Sequence, residues 1–471
     1  MRAGPALILA AIALLTRAQI FGDPIAGSDE GFYLLVGDRM VHGALPYIDI
    51  WDRKPVGLFV LYAAIRLFGG ESVLAYQLVG TGVAFATALL VRRLALEFSK
   101  DFAATAAAAA YLIWLPLGGA AGGQAELFCN LPMCAAALLT LRNLQAPRSA
   151  RLTRDGAGAM LLVGAAMQIK YTALFAGIFL GCVWLFVGWK AGKRRKLPLY
   201  AILWVISALA PTLLAAAYYA LRGQLPAFVG ANFVSIWARG PAAPGILLQR
   251  LGLIAIILAP LLACARPPSA PRSNRVMTAY RFTLAWLGAA IAGLLLFGTY
   301  FQQYMLPVVT PASAAAAPLF DRIARWRVLG LLGVAFVLAQ ADLWIEREAH
   351  GSRREVRQVL AAVEPGKCLF VYSGLSALYR LSHACIPTRY AFPSHLSRAR
   401  EADSIGVDPV QEVDRVMRSN PDAVVVRSPY DEDENWAARA TLFRHLRQHY
   451  RLSFRGKLGL HPIAVYRLAI R

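Results

Sequence analysis

The segment SDEGFYLLVGDRMVHGALPYIDIWDRKPVGLFVLYAAIRLFG, residues 28–69, joins an acidic pair to two apolar stretches. Asp29 and Glu30 open it, and apolar side chains then recur at helical spacing, at Phe32, Leu35, Val36 and Met40. This spacing predicts an amphipathic helix that lies on a membrane surface. Lys54 and Pro55 precede a second apolar stretch of about fifteen residues, with Pro55 as its first helical residue. That stretch is short for a membrane span, so we expect it to lie in the interface or to re-enter.

The chain around this segment has 471 residues, is 58% apolar and carries a formal net charge of +22. Apolar runs of about 20 residues, separated by basic loops, predict membrane spans. The sequence contains eleven such runs, at 5–21, 73–92, 102–119, 125–143, 156–169, 172–189, 198–219, 246–264, 281–298, 304–320 and 327–344. We therefore expect an α-helical polytopic membrane protein whose first span is retained.

The neighbouring runs at 156–169 and 172–189 are separated only by Lys170 and Tyr171. A lysine without a partner is costly in the middle of a span. The sequence therefore predicts a tilted hairpin with Lys170 at its tip, on the outer side of the membrane.

Basic residues fall mainly in alternate loops, which sets the expected topology. One set of loops holds nineteen of them: Arg92, Arg93, Lys100, Arg142, Arg148, Arg151, Arg154, Lys190, Lys193, Arg194, Arg195, Lys196, Arg266, Arg272, Arg275, Arg281, Arg322, Arg325 and Arg327. The other set holds eight: Arg39, Arg53, Lys54, Arg66, Lys170, Arg222, Arg239 and Arg250. The positive-inside rule places the first set in the cytoplasm and leaves 22–72 and the tail after about Leu343 outside. Because these charges lie in short loops rather than on a folded polar face, no nucleic-acid partner is expected.

The tail, residues 345–471, has a different pattern from the preceding 344 residues. KCLFVYSG, PDAVVVRSP, RLSFRGKL and PIAVYRL are short runs typical of strands, whereas VQEVDRVMRSN and NWAARATLFRHLRQHY have helical spacing. This alternation predicts a small α/β domain outside the cytoplasm. The expected organisation is a transmembrane domain over 1–344, with its first outer loop at 22–72, and an extracytoplasmic domain over 345–471.

Two of the six cysteines, Cys368 and Cys385, lie in this tail, where they have the opportunity to pair if the tail is outside the cytoplasm. The other four lie in apolar runs, which is typical of small core residues. Neither C-x-x-C nor H-E-x-x-H occurs in the sequence, so a soft-metal or zincin site is not expected.

The first outer loop also combines charges that suit a phosphate-bearing substrate. Lys54 precedes a helix N-terminus, where the helix dipole adds to its positive charge and favours an anion. Asp29 and Glu30 lie where the chain leaves the membrane. The alternatives are a solvated acidic pair and an interfacial lysine whose stem follows the apolar surface.

The segment 28–69 resembles the first outer loop of the family 39-like C-type (GT-C) glycosyltransferases, which include protein O-mannosyltransferases and lipid A aminoarabinose transferases. The shared pattern is an acidic pair followed by an aromatic residue, then G-x-x-P-Y, then K-P before an apolar helix. Weaker similarity follows in GGQAELFCN, LLVGAAMQIKYTALF, YFQQYMLPVVTPASAAAA and PTRYAFPSH. Gln302 and Gln303 stand where the family often has His or Arg. The likeness extends over about 1–345 in organisation and over 27–70 in motif.

The resemblance implies a GT-C fold and an enzyme that transfers a sugar, a hexose or a pentose, from a polyprenyl-phosphate donor at the outer face of the membrane. Asp29 matches the first acidic position and is expected to accept the proton of the acceptor hydroxyl, with Glu30 as runner-up or as an orienting partner. Fixed cations are expected beside the leaving phosphate. The candidates are Lys54, Lys170, Arg53 and Arg17.

Other candidates concern the acceptor and the lining of the site. Glu126 is expected to contact the acceptor or a metal, although an acid that opens a helix is an equal alternative. The acidic pair is also suited to Mg²⁺ or Mn²⁺, and metal dependence stays open. Candidate lining residues are Tyr33, Tyr47, Trp51 and Tyr304. Interfacial aromatics are also common for membrane reasons alone.

The sequence therefore predicts a multi-pass glycosyltransferase of a bacterial inner membrane. Its expected partners are a polyprenyl-phosphate sugar, membrane lipids and a lipid, glycan or protein acceptor of the envelope. One rival is a lipid or glycan flippase or transporter, for which buried charges and inverted repeats are expected. A second rival is a scaffold that presents the outer domain.

Overall fold

A computed structural model describes residues 3–69, 72–147, 151–269, 273–364, 366–429 and 433–469. Arg148 and Arg272, two of the nineteen basic loop residues, lie outside these ranges. The chain forms two compact units. Unit 1 comprises 1–21, 77–215 and 243–343, and unit 2 comprises 22–76, 216–242 and 344–471.

The secondary structure is mainly helical. In chain order the helices are α1 (Ala3–Leu15), α2 (Ser28–Val41), α3 (Val56–Arg66), α4 (Val73–Ala95), α5 (Asp101–Leu117), α6 (Ala125–Gln145), α7 (Leu152–Met167), α8 (Ala173–Lys190), α9 (Leu197–Leu221), α10 (Leu225–Val229), α11 (Ser235–Ala238), α12 (Pro244–Ala263), α13 (Asn274–Phe297), α14 (Leu306–Phe320), α15 (Arg325–His350), α16 (Arg353–Val363), α17 (Ala377–Leu381), α18 (Ser394–Ser397), α19 (Pro409–Arg418) and α20 (Trp436–His449). The strands are β1 (Leu369–Val371), β2 (Ala423–Arg427), β3 (Tyr450–Leu458) and β4 (His461–Leu468). Short 3₁₀ turns occur at Ala18–Ile20, Arg194–Lys196, Gln302–Met305 and Ala399–Ser404, and a π-helical turn occurs at Gly230–Val234.

Each of the eleven predicted spans corresponds to a helix of the structure. Within the described ranges, seven helical stretches are long and apolar enough to cross a membrane: Val73–Ala95, Ala125–Gln145, Ala173–Lys190, Arg194–Leu221, Pro244–Ala263, Asn274–Phe297 and Arg325–Val363. The chain is thus a multi-pass membrane protein. The four shorter helices are α1, α5, α7 and α14, and their crossing of the bilayer stays a prediction.

Small side chains build the core of unit 1. The alanine runs of α5 and α14 are almost completely buried and the two helices pack against each other. Alanine lets helix backbones approach closely, which matters inside a membrane where apolar burial alone does not drive association. The predicted hairpin is confirmed, because α7 ends at Met167, α8 begins at Ala173, and Lys170 lies in the turn between them.

In unit 2, α2 and α3 form a closely packed pair. A Cβ atom at Gly37 of α2 would lie 2.7 Å from the backbone of Tyr62 and Ala63, so the pair requires glycine there. The predicted helix after the acidic pair is confirmed, but its apolar face is covered by protein, and its position relative to the membrane stays a prediction. Residues 30–37 are buried on all sides, and the Phe32 ring packs 5.1 Å from the ring of Phe392 in the tail. Tertiary packing within unit 2 thus covers the apolar face that the sequence pattern assigned to lipid.

The tail contains the predicted small α/β domain. Its sheet has the order β1-β2-β4-β3, with β1 parallel to β2 and the other neighbours antiparallel. The predicted helices at 410–420 and 435–450 correspond to α19 and α20. Cys368 and Cys385 are joined by a disulfide, with their Cα atoms 4.4 Å apart.

Candidate functional site

Unit 2 brings together the acid and the lysine singled out in the first outer loop. The Lys54 Nζ atom lies 3.9 Å from Asp29 Oδ2 and 3.8 Å from Asp52 Oδ2. The Tyr33 hydroxyl donates to Asp29 Oδ2 at 3.2 Å, and Lys54 Nζ lies 4.8 Å from the centre of the Tyr33 ring. We call Asp29, Tyr33, Asp52 and Lys54 the outer-loop cluster. Two carboxylates around one ammonium group leave it with an excess of negative charge.

The local fold explains why the acids point as they do. Asp29 and Glu30 lie in the first turn of α2, where unpaired backbone N–H groups favour negative charge. The Asp29 side chain is about one-fifth exposed, whereas Glu30 is buried. A Cβ atom at Gly27 would lie 2.2 Å from Glu30 Oε2, so glycine makes room for this carboxylate. Asp29 is therefore the member of the pair that a ligand can reach.

Tyr47 holds the backbone beside Lys54 rather than standing in an open site. Its hydroxyl donates to the Lys54 carbonyl oxygen at 2.8 Å and to Asn232 Oδ1 at 3.3 Å. Its ring is buried beside those of Tyr219 and Phe228. Contact of Tyr47 with a substrate stays a prediction, since protein side chains enclose the ring here.

Arg53 is engaged by the tail. Its guanidinium group forms an ion pair with the Glu401 carboxylate and donates to Ser404 Oγ at 2.9 Å. Arg239 contacts the other Glu401 oxygen at 2.8 Å. Burial raises the pKa of Glu401, but Arg53 and Arg239 outweigh it and hold that pKa at about 2. Glu401 thus stays charged and holds Arg53 in an ion pair. A donor phosphate would have to compete with this carboxylate for Arg53, so the predicted contact of Arg53 with the phosphate stays a prediction.

Trp51 packs on the same part of the tail. Its backbone N–H donates to the Arg389 carbonyl at 2.8 Å, and its ring lies 4.7 Å from the ring of His395 and 5.7 Å from that of Tyr390. Burial lowers the pKa of His395 to about 4, so its imidazole is neutral near pH 7. Trp51 is buried in these contacts, and its predicted role in lining a substrate is not tested by them.

Unit 1 contains a second cluster, formed by Glu126, Lys170 and Tyr304, which we call the membrane cluster. Glu126 lies in the first turn of α6, and its Oε1 atom is in direct contact with Lys170 Nζ. Lys170 Nζ also lies 3.9 Å from the centre of the Tyr304 ring. Among the described residues, Glu126 Oε2 is buried without a hydrogen-bond partner. The sequence assigned Glu126 and Lys170 separate roles, and the structure pairs them with each other.

A narrow cavity adjoins the membrane cluster. Its free volume is about 40 Å³, and apolar side chains of α6, α8, α13 and α14 form most of its wall. Glu126, Asn130, Thr172 and Tyr304 supply its polar edge. The cavity is far smaller than the ~300–1,000 Å³ of a typical small-molecule pocket, so it is a gap between helices with a polar edge rather than a complete ligand site.

Arg17 is placed differently from the other candidate cations. It is completely buried in unit 1, where its guanidinium group donates to the Ala120 carbonyl at 3.2 Å and to Thr16 Oγ1 at 3.3 Å. No surface of Arg17 is open to a ligand in this conformation. Its predicted contact with a donor phosphate therefore stays a prediction without support from the geometry.

The described part of the chain has no group of three or more His, Cys, Asp and Glu side chains placed to hold a metal ion. In the outer-loop cluster, Lys54 occupies the position between Asp29 and Asp52 that a cation bridging both carboxylates would need. The present arrangement of these residues therefore does not fit a bound Mg²⁺ or Mn²⁺.

Two residues of the candidate site, Asp52 and Glu401, were not identified from the sequence. Asp52 lies two residues before Lys54, and a carboxylate so close to a lysine in WDRKP was a usable signal. Glu401 is 347 residues away from Lys54 along the chain, and nothing local in AREADS marks it as the partner of the first outer loop. Only the folded unit 2 brings it to Arg53.

No family sequence model and no curated protein sequence matches the chain. Solved structures do match, over nearly its whole length. The structure of ArnT from Cupriavidus metallidurans bound to undecaprenyl phosphate has a TM-score of 0.64 at 15% identity, and the match covers 99% of this chain and 98% of that one. The apo structure of the same ArnT has a TM-score of 0.63 at 15% identity and covers 98% of both chains. The Archaeoglobus fulgidus oligosaccharyltransferase in its apo form has a TM-score of 0.53 at 12% identity, covering 97% of this chain and 80% of that one.

These matches concern the fold, because the identities are low. They confirm the predicted fold class, a polytopic helical protein with a GT-C fold and a small C-terminal sheet. The number of spans stays a prediction.

Proposed function

We propose that this chain is a membrane glycosyltransferase that moves a sugar from a polyprenyl-phosphate donor to a lipid, glycan or protein acceptor of the cell envelope. The observation that carries the proposal is the outer-loop cluster, where a partly exposed carboxylate and a partly exposed ammonium group lie 3.9 Å apart. Transfer of a sugar from a phosphate is promoted by a carboxylate that accepts the proton of the acceptor and by a fixed cation that stabilises the leaving phosphate.

The proposed reaction is a single displacement at the anomeric carbon of the donor. The acceptor hydroxyl oxygen forms a bond to that carbon while its proton passes to the Asp29 carboxylate. The bond between the anomeric carbon and the phosphate oxygen breaks, and the electron pair leaves with the polyprenyl phosphate. Lys54 stabilises the charge that develops on this leaving group. Displacement from the opposite face inverts the configuration of the sugar.

The neighbouring side chains support these two roles. The Tyr33 hydroxyl donates to one Asp29 oxygen, and Asp52 also forms an ion pair with Lys54, at 3.8 Å. The Lys54 side chain is about one-fifth exposed and both of its ion pairs are long, which supports a contact with a phosphate. Lys170 of the membrane cluster is proposed separately as a second cation for the donor.

The fold supports the same class of reaction. The ArnT structure with which the chain shares its fold was solved with undecaprenyl phosphate, a polyprenyl phosphate. The archaeal neighbour is an oligosaccharyltransferase. A transferase is therefore favoured over the flippase that the sequence left open.

We further propose that the protein resides in a bacterial inner membrane with its tail outside the cytoplasm. The excess of basic residues in alternate loops supports this orientation. The disulfide between Cys368 and Cys385 also supports it, because disulfides persist in oxidising compartments.

The experiment is mass spectrometry of envelope glycolipids and glycans from a deletion strain complemented with the native chain, with Asp29→Asn or with Asp49→Asn at matched expression. Asp49 is the matched control, because it is an exposed acid of the same loop whose carboxylate accepts from the Leu45 N–H, a bond that asparagine can retain. We expect one sugar mass to disappear in the deletion and in Asp29→Asn, and to return with the native chain and with Asp49→Asn.

The other two outcomes distinguish the proposed function from the proposed role of Asp29. An unchanged envelope in the deletion strain contradicts a transferase acting on these acceptors. A sugar that is lost in the deletion but retained with Asp29→Asn keeps the proposed function and removes Asp29 from the reaction.

A further inference from the structure

The segment between α9 and α12 takes no part in the chemistry proposed above, yet its surface is unusual. Residues 225–238 form one nearly continuous helical run made of α10, the π-helical turn and α11. Trp237 at its end is 89% exposed, which is far more than a large aromatic side chain normally shows in water.

The inward face of this run contains its polar side chains. Phe228, Ala231, Asn232 and Ser235 are buried, and their spacing of three, one and three residues places them on one side of a helix. Asn232 donates to the Phe228 carbonyl at 2.9 Å, and Ser235 donates to the Ala231 carbonyl at 2.6 Å. Asn232 also accepts from the Tyr47 hydroxyl. The polar groups are thus satisfied inside unit 2.

The outward face is apolar. Its members are Val229, Phe233, Val234, Ile236 and Trp237, all of them exposed. A helix on the surface of a water-soluble protein has the opposite polarity, with apolar groups inward and polar groups outward. This inversion indicates that the medium outside is less polar than water.

The end of α9 continues this apolar surface along the chain. The stretch Arg194–Leu221 is apolar enough to cross a membrane, and its last residue, Leu221, is 89% exposed. Residue 225 follows after a turn of three residues. Fourteen helical residues extend about 21 Å, which is less than the hydrocarbon thickness of about 30 Å. The run is therefore too short to cross the bilayer again.

We infer that residues 225–238 lie in the membrane interface, with Phe233, Val234 and Trp237 in contact with lipid. The occupant of this face is the bilayer itself rather than a protein partner, because the face continues from a membrane-spanning helix and ends in tryptophan, an aromatic residue enriched at membrane interfaces. The contact is apolar and therefore independent of anionic lipid. This lipid contact holds the run in place. On the inward face of the run, Asn232 accepts a hydrogen bond from Tyr47, whose hydroxyl also donates to the Lys54 carbonyl.

The test uses the full chain in phosphatidylcholine nanodiscs, with nitroxide labels at single cysteines in a Cys182→Ser background, since Cys182 is an exposed free thiol. Labels are placed at Phe233→Cys and Trp237→Cys. Ile206→Cys, an exposed position within α9, provides the lipid reference. Gln358→Cys provides the water reference, because it is exposed on the polar helix α16, which begins after the helix breaks at residues 351–352. Collisions with oxygen, which concentrates in lipid, are compared with collisions with a water-soluble nickel chelate.

We expect the oxygen-to-nickel collision ratio at positions 233 and 237 to resemble that at Ile206→Cys and to exceed that at Gln358→Cys several-fold. Bromine atoms on the lipid chains are expected to quench a fluorophore at position 237 equally with and without anionic lipid. A ratio equal to that at Gln358→Cys overturns the inference in favour of water. Low collision rates with both reagents overturn it in favour of a covering protein surface, and none of these results depends on transferase activity.

Discussion

The outer-loop cluster and the membrane cluster use the same residue types in opposite ways. Lys54 lies between two carboxylates at 3.8 and 3.9 Å, and both Lys54 and Asp29 are about one-fifth exposed. Lys170 is in direct contact with Glu126, which is only 1% exposed. A long, partly exposed ion pair contributes little to stability, whereas a buried pair must stay together to offset its desolvation. The comparison therefore predicts that breaking the first pair costs activity and breaking the second costs stability.

The largest effect is expected when the membrane cluster is broken. Lys170→Met leaves the buried Glu126 carboxylate without its cation, which is expected to destabilise unit 1 by about 3–5 kcal/mol. The double variant Glu126→Gln/Lys170→Met removes both charges and is expected to regain most of this loss. Thermal unfolding in detergent measures both effects.

The activity of the double variant then tests whether Lys170 also acts on the donor. If Lys170 contacts the donor phosphate, the double variant is stable but slow. A double variant with native stability and native activity would show that the membrane cluster is structural only. A single variant as stable as the native chain would contradict the tight pairing.

The second largest effect is expected at Lys54. Lys54→Met removes a fixed cation beside the leaving phosphate, so the rate of sugar transfer is expected to fall about 10²–10³-fold. Its ion pairs are long and partly exposed, so the melting temperature is expected to change little. The rate is measured in isolated membranes, with the product identified by the envelope comparison. Lys457→Met, an exposed change on β3, is the control. A loss of stability at Lys54 as large as that at Lys170 would remove the contrast between the clusters.

A smaller effect is expected at Glu401, which supports the outer-loop cluster from the tail. Glu401→Gln removes the charge shared by Arg53 and Arg239 and is expected to cost about 2–3 kcal/mol at pH 7. The pKa of Glu401 is lowered to about 2 in the folded chain, so its contribution is complete above its ordinary pKa of about 4.3 and declines as the pH falls towards 2.

The difference in melting temperature between the native chain and Glu401→Gln should therefore be nearly constant from pH 7 to pH 5 and shrink from pH 4 downwards. Glu412→Gln is the matched control, because Glu412 is a tail acid whose partner Arg415 is largely exposed, and a smaller difference is expected there. Equal effects of the two substitutions would mean that Glu401 does not hold the loop.

The helices and strands of this fold were largely predictable because their patterns are local. Each of the eleven apolar runs corresponds to a helix, and Lys170 lies in the turn between α7 and α8, as predicted. Alternation in the tail located all four strands. The helix after Asp29 was predicted from the same kind of pattern, but its partner was not. Periodicity shows that a face is apolar and does not show whether lipid or protein covers it.

The contacts of the candidate site were less predictable because they join distant parts of the chain. Glu126 and Lys170 are 44 residues apart, and their pairing depends on how α6 packs beside the α7–α8 turn. Glu401 meets Arg53 across 348 residues. The motif in residues 28–69 identified Asp29 and Lys54 as candidates, and only the fold supplied Asp52 and Glu401 as their supports.

The smallest effect is expected at His395, and it tests whether the outer-loop cluster is supported by a neutral ring. Burial lowers the pKa of His395 to about 4, with Arg53 and Lys54 adding to the decrease and Asp52 and Glu401 opposing it. Below the ordinary pKa of about 6.5 the unfolded chain takes up a proton that the folded chain does not bind, so the free energy of unfolding falls by about 1 kcal/mol between pH 7 and pH 5.5.

His395→Phe keeps a ring against Trp51 and removes this proton uptake, so its melting temperature should fall less over that range than that of the native chain. His449→Gln, which changes an exposed imidazole on α20, should retain the native pH dependence. If His395→Phe has the same pH dependence as the native chain, the folded tail does not keep the His395 ring neutral beside Trp51. The comparison between the outer-loop cluster, which the tail supports, and the membrane cluster would then rest on Glu401 alone.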